Sequence, residues 1–100
     1  MEVVVAKGGE LPVGTFQPVQ SQGKRLLLCH TEHGFSAIDD ACTHDDGSLA
    51  EGWLEGGTIE CPRHGARFDV RTGEVRCLPA VTPIRSYPVR VDDNTVYITV

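Results

Sequence analysis

The sequence has few basic residues and no long apolar run. Lys and Arg total 9 against 14 Asp and Glu, which gives a formal net charge of −5. No basic stripe is present to neutralise phosphates, so we expect no nucleic-acid partner. The longest apolar runs, residues 3–6 and 26–29, are far shorter than the ~20 residues that cross a bilayer. We therefore expect no membrane span.

The sequence also shows no signal-peptide pattern, no helical periodicity, no repeats and no linkers, so none of these features is expected. Met1 and Glu2 lead directly into a valine-rich segment, which is unlike a signal peptide, and we expect a cytoplasmic protein. No segment repeats its apolar residues at helical spacing. With 100 residues, the chain is predicted to form one domain, residues 1–100.

Short apolar and alternating segments predict a chain built from strands. The expected strands cover residues 2–6, 15–20, 24–30, 35–38, 58–61, 66–70, 75–78, 85–91 and 95–100. Residues 21–23 and 92–94 carry turn signals between neighbouring strands. Residues 45–58 contain four glycines and are expected to be loop, with one helical turn within 48–53. The pattern agrees with an all-β fold.

Two pairs of soft metal ligands mark the ends of one loop. Cys42 and His44 form the first pair, and after sixteen residues Cys61 and His64 form the second. Thiolate and imidazole groups hold zinc, copper and iron in proteins, so these four residues are predicted to bind a metal. Each pair is mixed, whereas structural zinc sites usually keep cysteines and histidines in separate pairs. The mixture suits a two-metal cluster, although spacing alone leaves zinc open.

The remaining cysteines and histidines have no partner at ligand spacing. Cys29 ends an apolar run and is expected to be a small buried hydrophobic residue. Cys77 is expected to be structural, with a place beside the metal site as the alternative. No disulfide is expected, because two of the four cysteines belong to the metal pairs. His30 and His33 are expected to be surface or turn histidines.

The two ligand pairs, here called the first and second boxes, resemble the cluster-binding motifs of Rieske proteins. The likeness includes Leu49, Gly52, Gly56, Ile59, Glu60, Phe68, Asp69, Thr72, Gly73, Pro79 and Ala80. It covers about residues 35–100, and more loosely the first strands, and is closest to the small Rieske ferredoxins of bacterial ring-hydroxylating dioxygenase systems. Such ferredoxins carry one [2Fe–2S] cluster per chain, which implies Cys42 and Cys61 on one iron and His44 and His64 on the other.

The resemblance also implies an architecture and a function. The fold would be the Rieske type of antiparallel β-sandwich or barrel base, with an inserted cluster-binding subdomain at about residues 40–80. The protein would be an electron carrier rather than an enzyme, docking transiently with a flavin-dependent ferredoxin reductase and a terminal oxygenase. One alternative is the small subunit of a nitrite-reductase-like complex. The other is a zinc-stabilised interaction module without a redox role.

Departures from the respiratory Rieske proteins predict a low potential. Those proteins join the boxes by a disulfide, and the matching positions here are Gly47 and Arg63. They also place serine and tyrosine hydroxyls against the cluster sulfurs, where this chain has Ala66 and Phe68. Hydrogen bonds to sulfur stabilise the reduced cluster. We therefore expect a potential of about −150 mV rather than about +300 mV.

Charge is unevenly distributed around the boxes. Six acids and no Lys or Arg lie from Asp40 to Glu60, whereas four arginines lie from Arg63 to Arg76. Beside a redox centre this pattern favours encounter with a complementary partner, and a solvated face is the alternative. Trp53, the only tryptophan, is expected to pack the loop against the body, with a partner contact as the alternative. Glu60 and Asp69 are expected to be solvated or hydrogen-bonding carboxylates.

Overall fold

The computed structural model describes residues 2–41, 48–62, 65–78 and 82–100. The strands are Glu2–Lys7 (β1), Thr15–Ser21 (β2), Lys24–Thr31 (β3), Gly34–Asp39 (β4), Trp53–Glu55 (β5), Thr58–Glu60 (β6), Arg67–Asp69 (β7), Val75–Cys77 (β8), Ser86–Tyr87 (β9), Val89–Asp92 (β10) and Thr95–Thr99 (β11). Gly8–Glu10 and Leu49–Glu51 form short 3₁₀ turns. The all-β prediction is confirmed. Over the described ranges, no helix has the length and apolar character to cross a membrane.

Three antiparallel sheets make up the described fold. One has the strand order β1-β11-β10, the second β2-β3-β4-β9 and the third β5-β6-β7-β8. The first sheet joins the two ends of the chain, since Glu2 pairs with Thr99 and Lys7 with Thr95. The third, here called the small sheet, comes from one continuous segment of the sequence, which lies between β4 and β9.

Two tight hairpins were correctly predicted from their turn residues. Gln22 and Gly23, between β2 and β3, have φ of 55° and 77°, and Asp93 and Asn94, between β10 and β11, have φ of 50° and 62°. Two consecutive left-handed residues match the twist of the flanking strands in a two-residue turn. Three of the four turn residues are glycine, aspartate or asparagine, which tolerate that conformation best, so the local sequence favours both turns.

Strand β3 is buried on both faces. Its residues Leu26, Leu27, Leu28 and Cys29 are all 0% exposed. Successive side chains point to opposite faces of a strand. Leu27 and Cys29 join a first core with Ile38, Leu49, Ile59, Cys61, Ala66, Phe68, Val70 and Ile84. Leu26 and Leu28 join a second core with Leu11, Ala37, Val96 and Ile98. A strand covered on both faces shows an apolar run instead of alternation.

The predicted strand over residues 85–91 is two strands in different sheets. β9 pairs with β4, and β10 pairs with β11. The break falls at Pro88, which has no backbone N–H for a ladder, while its carbonyl accepts a hydrogen bond from Thr99 N at 3.0 Å. Val91 lies at the outer strand of its sheet and is 48% exposed.

The predicted loop over residues 45–58 contains strand β5. Gly56 and Gly57 have φ of 62° and 119°, and they form the turn that joins β5 to β6. The glycines that exclude a helix therefore create a hairpin. The expected helical turn within 48–53 is confirmed as the 3₁₀ turn Leu49–Glu51.

Candidate metal centre

Of the four predicted metal ligands, Cys61 lies among the described residues, whereas Cys42, His44 and His64 lie outside them. Cys61 directly follows β6, is 1% exposed and belongs to the first core. Within the described ranges, no group of three or more His, Cys, Asp or Glu residues could hold a metal ion. The geometry of the site is therefore given by the segments that flank the two boxes.

The second box is closed at its base by backbone hydrogen bonds. Cys61 N donates to Ala66 O at 2.7 Å, and Gly65 N donates to Cys61 O at 3.1 Å. Gly65 has a φ of 76°, which glycine adopts without a steric penalty. The backbone of Cys61, just after β6, is thus hydrogen-bonded to the two residues that precede β7. Ala66 and Phe68, both 0% exposed, lie in the same core and carry no hydroxyl.

A buried carboxylate connects the chain segments before and after the first box. Asp40 is 6% exposed, and its Oδ1 accepts hydrogen bonds from Ser48 Oγ at 3.0 Å and Ala50 N at 2.9 Å. Its own N–H donates to Arg25 O at 3.0 Å. A buried carboxylate needs such partners, because leaving it unpaired would be costly. Asp40 therefore holds the ends of the box together. Its place in the acidic run suggested an exposed acidic face, but its side chain does not belong to one.

Gly52 brings the bases of the two boxes together. A Cβ atom at Gly52 would lie 1.9 Å from Glu60 O and 3.2 Å from Pro62 Cδ. Only glycine allows the chain leaving the first box to approach the chain entering the second this closely. Gly52 N also donates to Leu49 O at 3.0 Å. A continuous series of contacts thus connects the two boxes: Asp40 is hydrogen-bonded to Ala50, and Gly52, two residues further on, lies against Glu60.

Asp69 organises the turn between β7 and β8. Its Oδ1 accepts from Arg71 N at 2.8 Å and Thr72 N at 3.3 Å, and its Oδ2 accepts from Arg76 Nη2 at 2.8 Å. Burial by itself raises the pKa of Asp69, but these hydrogen bonds and the Arg76 charge outweigh it and hold the pKa below its ordinary 3.8. The expected hydrogen-bonding role of this carboxylate is confirmed.

Glu60, the other carboxylate beside the second box, is paired across the small sheet. Arg67 Nη2 lies 2.7 Å from Glu60 Oε1, and the two side chains are 51% and 30% exposed. Both are therefore in contact with water, and exposed pairs of this kind stabilise a fold only weakly. The expectation of a solvated or hydrogen-bonding carboxylate holds for Glu60 as well.

Two expectations for the neighbourhood of the boxes are wrong. Cys77 is exposed on strand β8, so its thiol does not fill a structural position. Trp53 is 58% exposed and does not pack the loop against the body. The reason is register: Trp53 and Glu55 point outward from β5, while Leu54 between them packs on the first core.

The other two histidines are accounted for by local contacts or exposure. The His30 ring stacks on Phe35 with centroids 3.9 Å apart, and its Nδ1–H donates to Leu11 O at 2.6 Å. His33 is exposed in the turn between β3 and β4. His33 is thus a surface turn residue, as expected, whereas His30 is half-buried within β3 and is neither a surface nor a turn residue.

The sequence is similar to Rieske proteins along most of its length. The family model described as Rieske [2Fe-2S] domain matches residues 1–88. A 3-phenylpropionate/cinnamic acid dioxygenase ferredoxin subunit from Photorhabdus laumondii is 46% identical over 92 residues, covering 91% of this chain and 87% of the relative. A naphthalene 1,2-dioxygenase system ferredoxin component from Pseudomonas aeruginosa is 42% identical over 89 residues, covering 89% and 86%.

Solved structures show the same likeness. A chain in the complex of reduced oxygenase and oxidised ferredoxin in carbazole 1,9a-dioxygenase matches with a TM-score of 0.92 and 35% identity, covering 97% of this chain and 91% of the other. A putative small subunit of an NADPH nitrite reductase matches with a TM-score of 0.83 at 20% identity, covering 100% and 99%. At that identity, the second likeness concerns the fold alone.

Proposed function

We propose that this chain, which belongs to the family of Rieske [2Fe–2S] domains, carries single electrons from a flavin-dependent ferredoxin reductase to a terminal oxygenase. The observation that carries the proposal is the identity of 46% and 42% to ferredoxin components of dioxygenase systems, over about nine-tenths of the chain. The structural match to a chain in an oxygenase–ferredoxin complex supports docking to an oxygenase. A cytoplasmic location is part of the proposal, because a reducing compartment keeps the cysteine ligands as thiols.

Cys42 and Cys61 would hold one iron of the cluster, and His44 and His64 the other. The described part of the site fits this group, since Cys61 offers a thiol that is 1% exposed and Gly52 holds the bases of the boxes together. When bound, the cluster accepts and returns one electron, and four protein ligands leave no coordination position for a substrate. The chain is therefore an electron carrier, and catalysis belongs to its partner.

We also propose that the cluster has a low potential, and the residues around Cys61 support this. Ala66 and Phe68 provide a methyl group and a phenyl ring, both fully buried, where hydroxyl donors would stabilise added negative charge. Asp40 and Ser48 hold the first box, and the Cys61–Ala66 hydrogen bond holds the second. We include the small sheet and both boxes in a cluster-binding subdomain, residues 40–80, of one domain.

Metal analysis of the purified protein tests this function. We expect about two irons and two acid-labile sulfides per chain, no zinc, and after reduction the low average g value of mixed His and Cys ligation in EPR. Cys61→Ser should abolish the signal, whereas Cys77→Ser, a matched change on an exposed thiol, should retain it. One zinc and no sulfide would refute electron transfer and leave the interaction module. A co-purifying large reductase subunit would instead favour the nitrite-reductase-like alternative, for which the match at 20% identity gives no support beyond the fold.

A further inference from the structure

The outward face of the small sheet forms a groove beside the second box. Trp53 pairs with Glu60, Glu60 pairs with Arg67, and Glu55 pairs with Thr58 in the strand register. Alternate residues of a strand share one face, and opposite residues of an antiparallel pair lie side by side. These five side chains line a groove of about 200 Å³. The other face of the same strands, with Leu54, Ile59 and Phe68, packs on the first core.

Trp53 presents an uncovered ring to this groove. Elsewhere in the chain, cationic side chains lie over the aromatic rings of the tyrosines: Lys24 at 5.5 Å and Arg85 at 5.8 Å from the Tyr87 centroid, and Arg90 at 4.3 Å from that of Tyr97. Over the part of the chain that the structure describes, no Lys or Arg covers Trp53, which is 58% exposed. Because the indole is the strongest cation–π acceptor among side chains, this ring is available to a cation from another molecule.

Among the described residues, the groove also holds a carboxylate, that of Glu55, without a cationic partner. Glu60 is neutralised by Arg67, with Nη2 and Oε1 2.7 Å apart. Glu55, two residues after Trp53 on the same face, is exposed and forms no ion pair with any residue in the described ranges. A cation that stacks on the Trp53 indole needs a negative charge beside it. The indole carries none and Glu60 is already paired with Arg67, so Glu55 is the carboxylate available to that cation.

The position of the groove connects it to electron transfer. β5 is an edge strand of the small sheet, so none of the described strands covers Trp53 from that side. Trp53 lies opposite Glu60, whose next residue in the chain is Cys61. A protein seated on Trp53 would thus touch the strand that leads into the second box.

We propose that the groove formed by Trp53, Glu55, Thr58, Glu60 and Arg67 is a docking site for a redox protein that presents an Arg or Lys side chain. The cation stacks on the indole of Trp53 and pairs with the carboxylate of Glu55. The rest of the partner surface covers β5 and approaches the second box. This inference rests on the proposed electron-carrier function and identifies the chemistry of the surface through which it acts.

Electron transfer to a basic haem protein tests the docking site. The holoprotein is reduced with dithionite, freed of excess reductant and mixed with ferricytochrome c, so that one electron leaves the reduced cluster and converts ferric haem to ferrous haem. We expect Trp53→Ala to lower the second-order rate constant about two- to fivefold and Glu55→Gln about twofold, both at low salt. The Glu55→Gln effect should disappear at about 0.5 M salt, because exposed charges are then screened.

Matched control variants separate this site from a general surface effect. Val4→Ala removes an apolar group that is 63% exposed on β1, and Glu32→Gln removes an exposed charge in the β3–β4 turn. Neither should change the rate. All variants must retain the wild-type cluster absorption and midpoint potential, so that folding and the redox centre are unaltered. Equal slowing by Trp53→Ala and Val4→Ala would show a non-specific apolar effect and overturn the proposal.

The failure of docking and the failure of the proposed function give different results. If the wild-type protein reduces cytochrome c and Trp53→Ala and Glu55→Gln do so equally fast, the groove is not the docking site and the carrier function stands. If the wild-type protein holds no reducible cluster, the carrier function itself is wrong, and the docking proposal falls with it.

Discussion

We propose that Ala66 and Phe68 set the polarity around the cluster of this chain. Both are 0% exposed, and both share the first core with Cys61. Neither can donate a side-chain hydrogen bond to a sulfur atom, which would favour the reduced state. The low potential expected for this protein therefore depends on two side chains that do not bind metal.

Substituting Ala66→Ser should raise the midpoint potential. A hydroxyl that bonds the reduced cluster about 1 kcal/mol more strongly than the oxidised one shifts a one-electron couple upward by about 40 mV. Ala37→Ser makes the same chemical change at a site 1% exposed in the second core and should leave the potential unchanged. Potentiometric titration of both variants measures the difference, and a fall in the Ala66→Ser potential would contradict the argument.

Cys29 and Cys77 should differ sharply in reactivity. Burial raises the pKa of the Cys29 thiol to about 12, so at pH 8 almost none of it is thiolate, the reactive form. Cys77 is exposed and accessible to reagent. Brief treatment of the native protein with iodoacetamide, followed by peptide mass spectrometry, should therefore find modified Cys77 and intact Cys29. Rapid modification of Cys29 in the folded protein would show that β3 is not closed on both faces.

At the scale of the element, the loop of the first box depends on the Asp40 bridge. Asp40→Ala leaves the hydroxyl of Ser48 without its acceptor and leaves the N–H of Ala50 with only Ser48 Oγ, at 3.2 Å, at a cost of about 1–3 kcal/mol. We expect several-fold faster loss of cluster absorbance in the presence of an iron chelator, because the two ends of the first box are no longer held together by the Asp40 carboxylate. Asp40→Asn keeps one acceptor oxygen and should recover part of the wild-type retention. If Asp40→Ala holds its cluster as well as the wild type, the bridge has no role in the site.

The turn between β7 and β8 should contribute an acid-sensitive part of the stability. The pKa of Asp69 is lowered in the folded protein, so its contribution is present above the ordinary pKa of about 4 and is lost as the pH falls through the lower folded value. Asp69→Asn should be less stable than the wild type at pH 6. That difference should shrink as the pH falls from about 5 to about 3. Urea unfolding at matched pH measures it, and a difference independent of pH would exclude ionisation of Asp69 as its cause.

Hairpins were predicted well where the turn residues determine them and poorly where tertiary contacts do. The two hairpins are predicted by their own turn residues, Gln22 with Gly23 and Asp93 with Asn94. Strand β5 has three residues in a glycine-rich segment, and only pairing with β6 makes it a strand. The sequence offered no signal that Asp40 reaches Ser48 and Ala50, because that bridge depends on how the box folds back. The likeness to Rieske proteins predicted the ligands, and of these the structure describes Cys61 alone.

At the scale of the whole molecule, β3 joins the two cores. Its four buried residues divide between them, and Leu27 packs on the first core while Leu28 packs on the second. Both cores share the backbone of this strand, so a change that loosens the strand in one core also disturbs the other. The small sheet and the rest of the fold should therefore unfold together. A single domain over residues 1–100 is therefore the organisation we propose.

A single cooperative unfolding transition should follow from this shared strand. Leu27→Ala and Leu28→Ala should each lower the free energy of unfolding by about 2–5 kcal/mol. For each variant, circular dichroism and cluster absorbance should report the same midpoint, as in a two-state transition. If the cluster signal of Leu27→Ala disappeared well before the strand signal, the subdomain at residues 40–80 would unfold independently, contrary to the single-domain proposal.

The pairing of β1 with β11 determines the order in which the sheets can form during synthesis. β1 is synthesised before the other described strands, yet it pairs with β11, including Thr99, so its ladder can form only after β11 has been made. The hairpin of β2 and β3 and the small sheet involve nearer neighbours and are available earlier. A chain whose synthesis stops before residue 95 would lack β11, and β1 and β10 would then have no strand to pair with in the first sheet.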